Sequence, residues 1–330
     1  MSELSGILAA IELHRATNRP MALATIVATT GSTYRHAGAR LFIPTDGEPI
    51  GNISGGCLED DVARIGREVM RSGEPRLASF NLTADEDAVW GYGLGCNGSF
   101  EVFVEPTDGA LAAADALRHD RGLLTTVITG PDAGSHRFQA DPPGFDTPRV
   151  SEDAGVRVLQ EPILQPMRLI VCGAGHDAIP LVRQAAELGW RVTVADVRRA
   201  LLSPERFPAG DFCDADPDSA AAAMQPDART VVVLMSHNYM RDIAYLGSFL
   251  GAEVAYLGVL GPRGRTEQML GELGQPEALA RLHAPAGLDI GAEGPEEVAR
   301  AIVAEILAVT RGRAGGSLRD RLAPIHGSDG

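Results

Sequence analysis

Apolar residues in the first 130 positions alternate between helical and strand spacing. Those from Leu58 to Val69 recur every three or four positions, which predicts a helix that ends at Gly73. Runs of β-branched and small residues predict buried strands, and Asp46-Gly47 predicts a hairpin turn. The predicted strands cover residues 20–29, 41–44, 49–53, 76–82, 99–105 and 123–129, with helices beginning near residues 4, 57 and 111. Residues 1–130 are therefore predicted to form an α+β domain.

The pattern changes after residue 130. Residues 131–148 are rich in Pro and Gly and show little apolar periodicity, which predicts a linker or an ordered excursion that we extend over residues 131–166. From residue 167 onward, apolar strands alternate with amphipathic helices, the pattern of a doubly wound parallel sheet. Residues 167–330 are therefore predicted to form a C-terminal Rossmann-like domain that includes a terminal helix and a tail. The predicted fold class is α/β.

Composition and charge narrow the possible functions. All 29 basic residues are Arg, so no Lys is available for a Schiff base or a P-loop phosphate site. The formal charge of −15 argues against nucleic acid or an anionic membrane as partner. The apolar runs are too short to span a bilayer, and the four cysteines have no metal-site spacing. We therefore expect a cytoplasmic protein whose cysteines are thiols.

A Gly-x-Gly-x-x-Ala motif directly follows a predicted strand and opens a helix. Gly173, Gly175 and Ala178 are its small residues, and Asp196 ends the next strand. In dinucleotide-binding domains this pattern places pyrophosphate at the helix start and the ribose hydroxyl on the acid. We predict that these residues contact a cofactor. Whether NAD(P) binds stays open, because the same fold occurs in domains that bind no dinucleotide.

Two histidines flank this motif in the predicted sheet. His176 lies in the first turn of the helix, and His237 follows the strand at 231–235. Ligands bind at the carboxyl ends of parallel strands, so both side chains, with Asn238, are candidates for holding phosphate or a metal in a cofactor site. Taken singly, each histidine is better explained by hydrogen bonding at the helix start or within its loop.

In the N-terminal half, a double glycine precedes a predicted helix. Backbone amides of Ser54, Gly55 and Gly56 would point at one position, which predicts an anion-binding nest at the helix start. The same position favours the thiolate of Cys57, which could act as nucleophile, sulfur carrier or soft metal ligand. Glu59 belongs to the same candidate cofactor site. A small buried cysteine after a tight turn is the competing explanation.

Further candidates lie on neighbouring loops of this half. Cys96 and Asn97 follow two closely spaced glycines, which would leave the thiol accessible. Cys57 and Cys96 are therefore the candidate metal ligands. Arg35 and Arg40 carry guanidinium groups suited to a phosphate, although a solvated turn would explain each of them.

In their order along the chain, these motifs resemble the XdhC/CoxI family of molybdenum hydroxylase accessory proteins. Asp60 and Gly264 depart from the family pattern, where a Gly and a third Arg are usual. The matching segments are residues 31–35, 37–40, 53–59, 95–98, 173–176, 236–239, 257–263, 287–293 and 315–319.

The resemblance implies a role in handling the molybdenum cofactor. Family members are thought to bind molybdopterin, protect it during sulfuration by a cysteine desulfurase, and insert it into the hydroxylase apoenzyme. The resemblance also implies a homodimer. Two [2Fe–2S] clusters would need eight thiolates and the chain has four cysteines, so it cannot be an iron–sulfur subunit. We therefore expect an accessory protein without catalytic activity of its own. Such a protein can be named xanthine dehydrogenase because it acts with that enzyme.

Two alternatives stay open. An NAD(P)-dependent oxidoreductase would use the C-terminal domain, with His237 as proton partner, but would leave both loop cysteines without a role. A scaffold that bridges desulfurase and hydroxylase would bind no cofactor.

Overall fold

The structure is a computed structural model that describes residues 3–31, 33–81, 98–140 and 144–322. The described part of the chain divides into two compact units, residues 3–165 and 166–322. Among the described residues, no helix combines the length and apolar character that a membrane crossing requires.

The N-terminal unit contains a five-stranded antiparallel sheet with helices on both faces. Its helices are α1 (Glu3–Ala16), α2 (Glu59–Ser72) and α3 (Thr107–Leu117), and its strands are β1 (Met21–Gly31), β2 (Arg40–Pro44), β3 (Ile50–Gly51), β4 (Arg76–Asn81) and β5 (Gly98–Glu105). The strand order is β3-β2-β1-β5-β4. This agrees with the α+β architecture predicted for this half.

Strand β1 is buried from Met21 to Val27, and all of these residues but Thr25 are apolar, because both of its faces are covered there. Ala22, Ala24 and Ile26 pack with α2, whereas Met21 and Leu23 pack with α1 and α3. Side chains alternate between the faces of a strand, so a continuous apolar run is what a strand between two helical layers needs.

A second, four-stranded antiparallel sheet completes the N-terminal unit. It contains β6 (Gly122–Val127), β7 (His136–Gln139), β8 (Arg149–Asp153) and β9 (Val156–Ile163), in the order β7-β6-β9-β8. The predicted linker or excursion, residues 131–166, therefore holds three strands and packs with the N-terminal unit. Strands β7 and β8 are short and largely exposed, so their sequence lacks the apolar alternation that predicts a strand.

A buried ion pair and a buried hydrogen bond join the two sheets of this unit. Arg40 on β2 donates two hydrogen bonds to the Glu161 carboxylate on β9, at 2.8 and 2.7 Å, and both side chains are at most 7% exposed. Glu105 at the end of β5 bonds His136 on β7 at 2.6 Å. Such pairs are satisfied only when both partners are present, so they fix how the second sheet attaches to the first.

The C-terminal unit is a parallel sheet with helices on both faces. Its strands are β10 (Arg168–Cys172), β11 (Arg191–Ala195), β12 (Gly210–Cys213), β13 (Thr230–Leu234) and β14 (Tyr256–Val259), and its α-helices are α4 (Ala178–Glu187), α5 (Ala220–Met224), α6 (Tyr239–Phe249), α7 (Arg263–Glu272) and α8 (Pro295–Thr310). The order β12-β11-β10-β13-β14, with every pair parallel, is that of a doubly wound sheet.

The predicted fold class is confirmed. Helices α4 and α8 cover one face of the parallel sheet, and α5, α6 and α7 cover the other. The sequence pattern misses strand β12, because this edge strand is short and its residues are exposed or only partly buried.

The Arg40–Glu161 pair yields a stability prediction. Arg40→Ala should lower the free energy of unfolding by about 3–5 kcal/mol, because it leaves a buried carboxylate without its partner. Replacing both residues, by Met at 40 and Leu at 161, should recover most of that loss. Urea denaturation measures both effects. Arg64→Ala is the control, because Arg64 is 63% exposed and its pairs should contribute at most about 1 kcal/mol. Equal losses for Arg40→Ala and Arg64→Ala would contradict the prediction.

Candidate functional site

The loop that precedes α2 is held by the chain's own side chains. The Glu59 carboxylate accepts hydrogen bonds from the backbone N–H groups of Ile53 at 3.0 Å, Ser54 at 2.8 Å and Gly56 at 3.0 Å, and from the Ser54 hydroxyl. The remaining N–H groups of residues 55, 57 and 58 donate to the side chains of Asn52 and Ser54, with a further bond from residue 58 to Glu59. Every backbone donor from 53 to 58 is therefore engaged.

This geometry changes the interpretation of the double-glycine loop. The sequence predicts free amides that await an external anion, but the structure fills that position with the ionised Glu59. Partial burial raises the pKa of Glu59, but the hydrogen bonds from Ser54 and Ile53 outweigh it and hold this pKa below its ordinary value. The loop therefore holds its own side chains in fixed positions and is not an open binding site for a phosphate. Gly55 and Gly56 remain exposed at its tip.

Cys57 is carried by this loop as a free, half-buried thiol. It packs at the edge of the cluster beneath α2, so part of its surface still reaches solvent. Beside it, the Tyr34 ring lies against one side of Gly55: a Cβ on that glycine would lie 3.6 Å from the ring. Tyr34 is 61% exposed, which leaves most of the ring open to solvent. Sequence reasoning assigns no role to Tyr34, although it lies in a segment that carries the family resemblance.

The two arginines that the sequence proposes for phosphate differ in the structure. Arg35 donates to Glu3 at 2.6 and 3.2 Å in a pair whose side chains are about one-third exposed. Arg40 is buried and gives both bonds of one guanidinium nitrogen to Glu161. Arg40 is therefore a structural residue, contrary to its predicted role as a phosphate ligand, because burial and pairing leave it unavailable. Cys96 and Asn97, the other candidates of this half, lie outside the described residues.

In the C-terminal unit, the glycine-rich turn follows β10 as predicted. Gly173 has a φ of 123°, and a Cβ there would lie 2.5 Å from the Met235 carbonyl oxygen. Only glycine allows this close approach between the turn and the end of β13. Ala178 is fully buried at the start of α4, which suits a small residue where helix and sheet pack.

Asp196 directly follows β11 and lies beside this turn, whose backbone it holds by a hydrogen bond. Its carboxylate accepts hydrogen bonds from the Ala174 N–H at 2.8 Å and from the backbone and side chain of Arg198. Burial raises the pKa of Asp196, but the Arg198 and Ala174 hydrogen bonds outweigh it and keep this pKa below its ordinary value. Asp196 is only 1% exposed.

The two histidines at the carboxyl edge are both exposed, but they differ in their contacts. His237 has a left-handed backbone, with a φ of 54°, and its Nε2 lies 2.5 Å from the Asp177 carboxylate. His176 is exposed, and its side chain makes no hydrogen bond or ion pair with the described residues. An imidazole backed by a carboxylate is suited to proton transfer or to binding an anion when protonated.

A buried aspartate that sequence reasoning misses supports the His237 loop. Asp242 on α6 accepts hydrogen bonds from the Ser236 N–H and hydroxyl, at 3.1 and 2.6 Å, and from Arg265 at 2.7 Å. Asn238 caps α6 by accepting from the Arg241 N–H. The signal was available, since an acidic residue in a helix's first turn commonly satisfies backbone donors there.

Within the described ranges, no group of three or more His, Cys, Asp and Glu side chains has the geometry of a metal site. The predicted Cys57–Cys96 metal pair stays a prediction, because Cys96 is not among those residues.

Comparison with known proteins identifies the family. Residues 169–306 match the family described as the XdhC Rossmann domain, and residues 14–81 match the XdhC and CoxI family. A Bacillus subtilis protein named as a probable xanthine dehydrogenase subunit is 31% identical over 312 residues, covering 86% of this chain and 92% of its own. This chain belongs to the XdhC and CoxI family. The resemblance drawn from its motifs is confirmed.

Two further relatives of this XdhC and CoxI protein are informative. The molybdenum cofactor insertion chaperone PaoD of Escherichia coli is 25% identical, with 87% of this chain and 82% of PaoD covered. A crystal structure from Bacillus halodurans, described as a xanthine dehydrogenase, aligns with a TM-score of 0.79 at 28% identity. It covers 96% of this chain and 98% of its own.

Glu59→Gln tests the clamped loop. The amide side chain replaces one charged oxygen by an N–H donor, so amide hydrogen exchange at residues 53–58 should speed up by about tenfold. Asp60→Asn is the matched control, because Asp60 is exposed and accepts no bond from this loop. Mass spectrometry of the peptide resolves the effect. Unchanged protection in Glu59→Gln would show that the carboxylate does not hold the loop.

The same carboxylate gives the loop a pH dependence. The folded-state pKa of Glu59 lies below its unfolded value, so its stabilisation is complete above the unfolded pKa of about 4.3. It is lost as the pH falls through the folded pKa. Wild-type protection at 53–58 should therefore decline in that acidic range, whereas Glu59→Gln should show no such change.

Proposed function

We propose that this protein is an accessory factor that binds the molybdenum cofactor and delivers it to a molybdenum hydroxylase apoenzyme. Family membership and the name of the PaoD relative support this assignment. So does the Bacillus subtilis relative, which carries the name of a xanthine dehydrogenase component, since an accessory protein acts with such an enzyme.

One observation in the structure carries the proposal. Cys57 is a half-exposed thiol on a loop whose backbone donors are all satisfied internally, and the exposed Tyr34 ring lies against the same loop. Molybdopterin presents sulfur ligands, a flat pterin and a phosphate. A soft thiol suits sulfur-ligated metal chemistry, and an exposed aromatic face suits a flat heterocycle. The donor set therefore fits the sulfur and ring portions of the cofactor.

The phosphate of the cofactor requires a different group. Ionised Glu59 fills the amide nest, so a second anion there would be repelled. Arg35 is the better candidate, because an exposed ion pair such as Arg35–Glu3 is worth about 0–1 kcal/mol and a phosphate can replace the carboxylate cheaply. To bind a phosphate, Arg40 would have to leave its buried partner Glu161, and the free-energy cost of breaking that pair is several times higher.

The remaining steps of the proposed role follow from the family resemblance. The protein would hold the cofactor while a cysteine desulfurase supplies sulfur, and then release it to the hydroxylase, acting as a homodimer. Cys57 and Cys96 are the proposed sulfur ligands. We propose two domains, residues 1–130 and residues 167–330. The strands within residues 131–166 extend the first of them.

The alternative function, an NAD(P)-dependent oxidoreductase, receives less support from the geometry. It has the Asp177–His237 pair as a proton-transfer group, but the acid that should bind ribose is buried and fully hydrogen-bonded. These residues do not fit a dinucleotide in the arrangement observed.

Cys57→Ala should abolish retention of molybdopterin by the purified protein, because the proposed sulfur contact is lost. Cofactor content can be measured by molybdenum analysis and by fluorescence of the oxidised pterin. Cys213→Ala is the matched control, since Cys213 is also a half-buried free thiol but belongs to the other unit. Cys96→Ala should resemble Cys57→Ala. Full retention in the Cys57/Cys96 double variant would favour the scaffold without a cofactor.

Tyr34→Ala should weaken cofactor retention by about tenfold, because base-like rings gain about 1–3 kcal/mol from stacking on an aromatic side chain. Tyr34→Phe keeps the ring and should retain the cofactor like the wild type. Dissociation of the cofactor during gel filtration provides the measurement. Similar losses in both variants would mean that the hydroxyl, and not the ring face, makes the contact.

A further inference from the structure

The acid of the dinucleotide motif has no acceptor position left for a ribose. Asp196 Oδ2 accepts from the Ala174 N–H at 2.8 Å and from Arg198 Nη2 at 2.7 Å. Its Oδ1 accepts from the Arg198 backbone at 2.9 Å and from Arg198 Nε at 3.0 Å. A carboxylate offers about four lone-pair positions, so this one is saturated. With 1% of the residue exposed, a ribose hydroxyl cannot reach it while Arg198 stays in place.

The pyrophosphate position is also taken by the chain. Asp177 Oδ1 lies 2.5 Å from where a Cβ on Gly175 would be, in the space that this glycine keeps free for a phosphate in dinucleotide-binding domains. The other oxygen of Asp177 bonds His237 at 2.5 Å, and the carboxylate is 18% exposed. An incoming pyrophosphate would meet a carboxylate instead of open backbone.

Arg198 lies at the surface, with its side chain 42% exposed, and is held by its bonds to Asp196. The turn and Asp177 are held by further contacts. The turn is held from its other side by Arg206, whose Nη2 donates to the Ala174 carbonyl at 3.0 Å. The partner of Asp177, His237, sits on the loop that Asp242 fixes through Ser236. Arg199, the second arginine near the ribose position, is 82% exposed and pairs with Asp214 at 2.6 Å at the surface, without contacting Asp196.

We infer that this Rossmann domain is closed to NAD(H) and NADP(H) by its own side chains, with Arg198 sealing the ribose site and Asp177 the pyrophosphate site. The two residues are specificity determinants: they turn a sequence that matches the dinucleotide motif into a domain that rejects the dinucleotide. The carboxyl edge of the sheet then presents the exposed imidazoles of His176 and His237 rather than a cofactor cleft. This inference is independent of molybdenum cofactor binding in the N-terminal unit.

Titration of the full-length protein with NADH and NADPH, followed by nucleotide fluorescence, tests the inference. Wild type should not saturate with either nucleotide. Arg198→Ala combined with Asp177→Ala should bind NADH with an affinity at least about tenfold higher than wild type. Arg199→Ala is the matched control, because Arg199 is 82% exposed and does not contact Asp196; it should behave as wild type.

Two results would overturn the inference. The first is saturable binding of either nucleotide by wild type that Asp196→Asn or Arg198→Ala weakens, since that would make these residues ligands. The second is a folded double variant that still binds no nucleotide, since the two side chains would then not be what closes the site. A thermal melt shows whether the variant is folded, and Arg198→Ser with Asp177→Ser, which keeps a small polar side chain at each position, replaces it if it is not.

Discussion

Carboxylates that accept hydrogen bonds from turn backbone are the interaction on which both units of this protein depend. Glu59 holds the loop before α2, Asp196 holds the glycine-rich turn after β10, and Asp242 holds the loop after β13. Each of these tight turns points N–H groups away from regular structure, and buried N–H groups must find an acceptor. An ionised carboxylate is a strong acceptor with room for several donors, so one side chain can fix a whole turn.

This constraint shapes what each site can do. In the N-terminal unit the clamped loop presents Cys57 and supports the Tyr34 ring, so the groups proposed to meet the cofactor are positioned before it arrives. A preorganised site loses less conformational entropy on binding than a flexible loop. In the C-terminal unit the same kind of interaction has the opposite effect. Asp196 and Arg198 satisfy each other and the turn, and in doing so remove the groups that would read a ribose.

The sequence predicts helices and strands correctly where their apolar residues recur with a regular period. Strands such as β1 and β13 and helix α8 were predicted within a few residues, because their core-facing side chains recur with the period of the element. The sequence misses strands β7, β8 and β12, since they are short and largely exposed and so lack apolar alternation. It also misses β9, which lies in the stretch predicted as a linker or excursion. The predictions of site residues also succeeded where the signal is local and failed where the partner is distant. The turn at Gly173 and the position of Asp196 were predicted, but Arg40 was assigned to a ligand when its partner, Glu161, lies 121 residues away.

The sequence by itself therefore determined the family, the two domain types and which residues occupy the glycine-rich turns, because these depend on local spacing and residue type. The tertiary structure decided which partner each charged group takes. Glu59, Arg40, Asp177 and Arg198 are all compatible with ligand binding when considered as residue types. A hydrogen bond forms with the nearest well-placed partner in space, and folding brings an internal partner to each of these side chains. The same motif can thus mark an open site or a closed one, and only the packed chain distinguishes them.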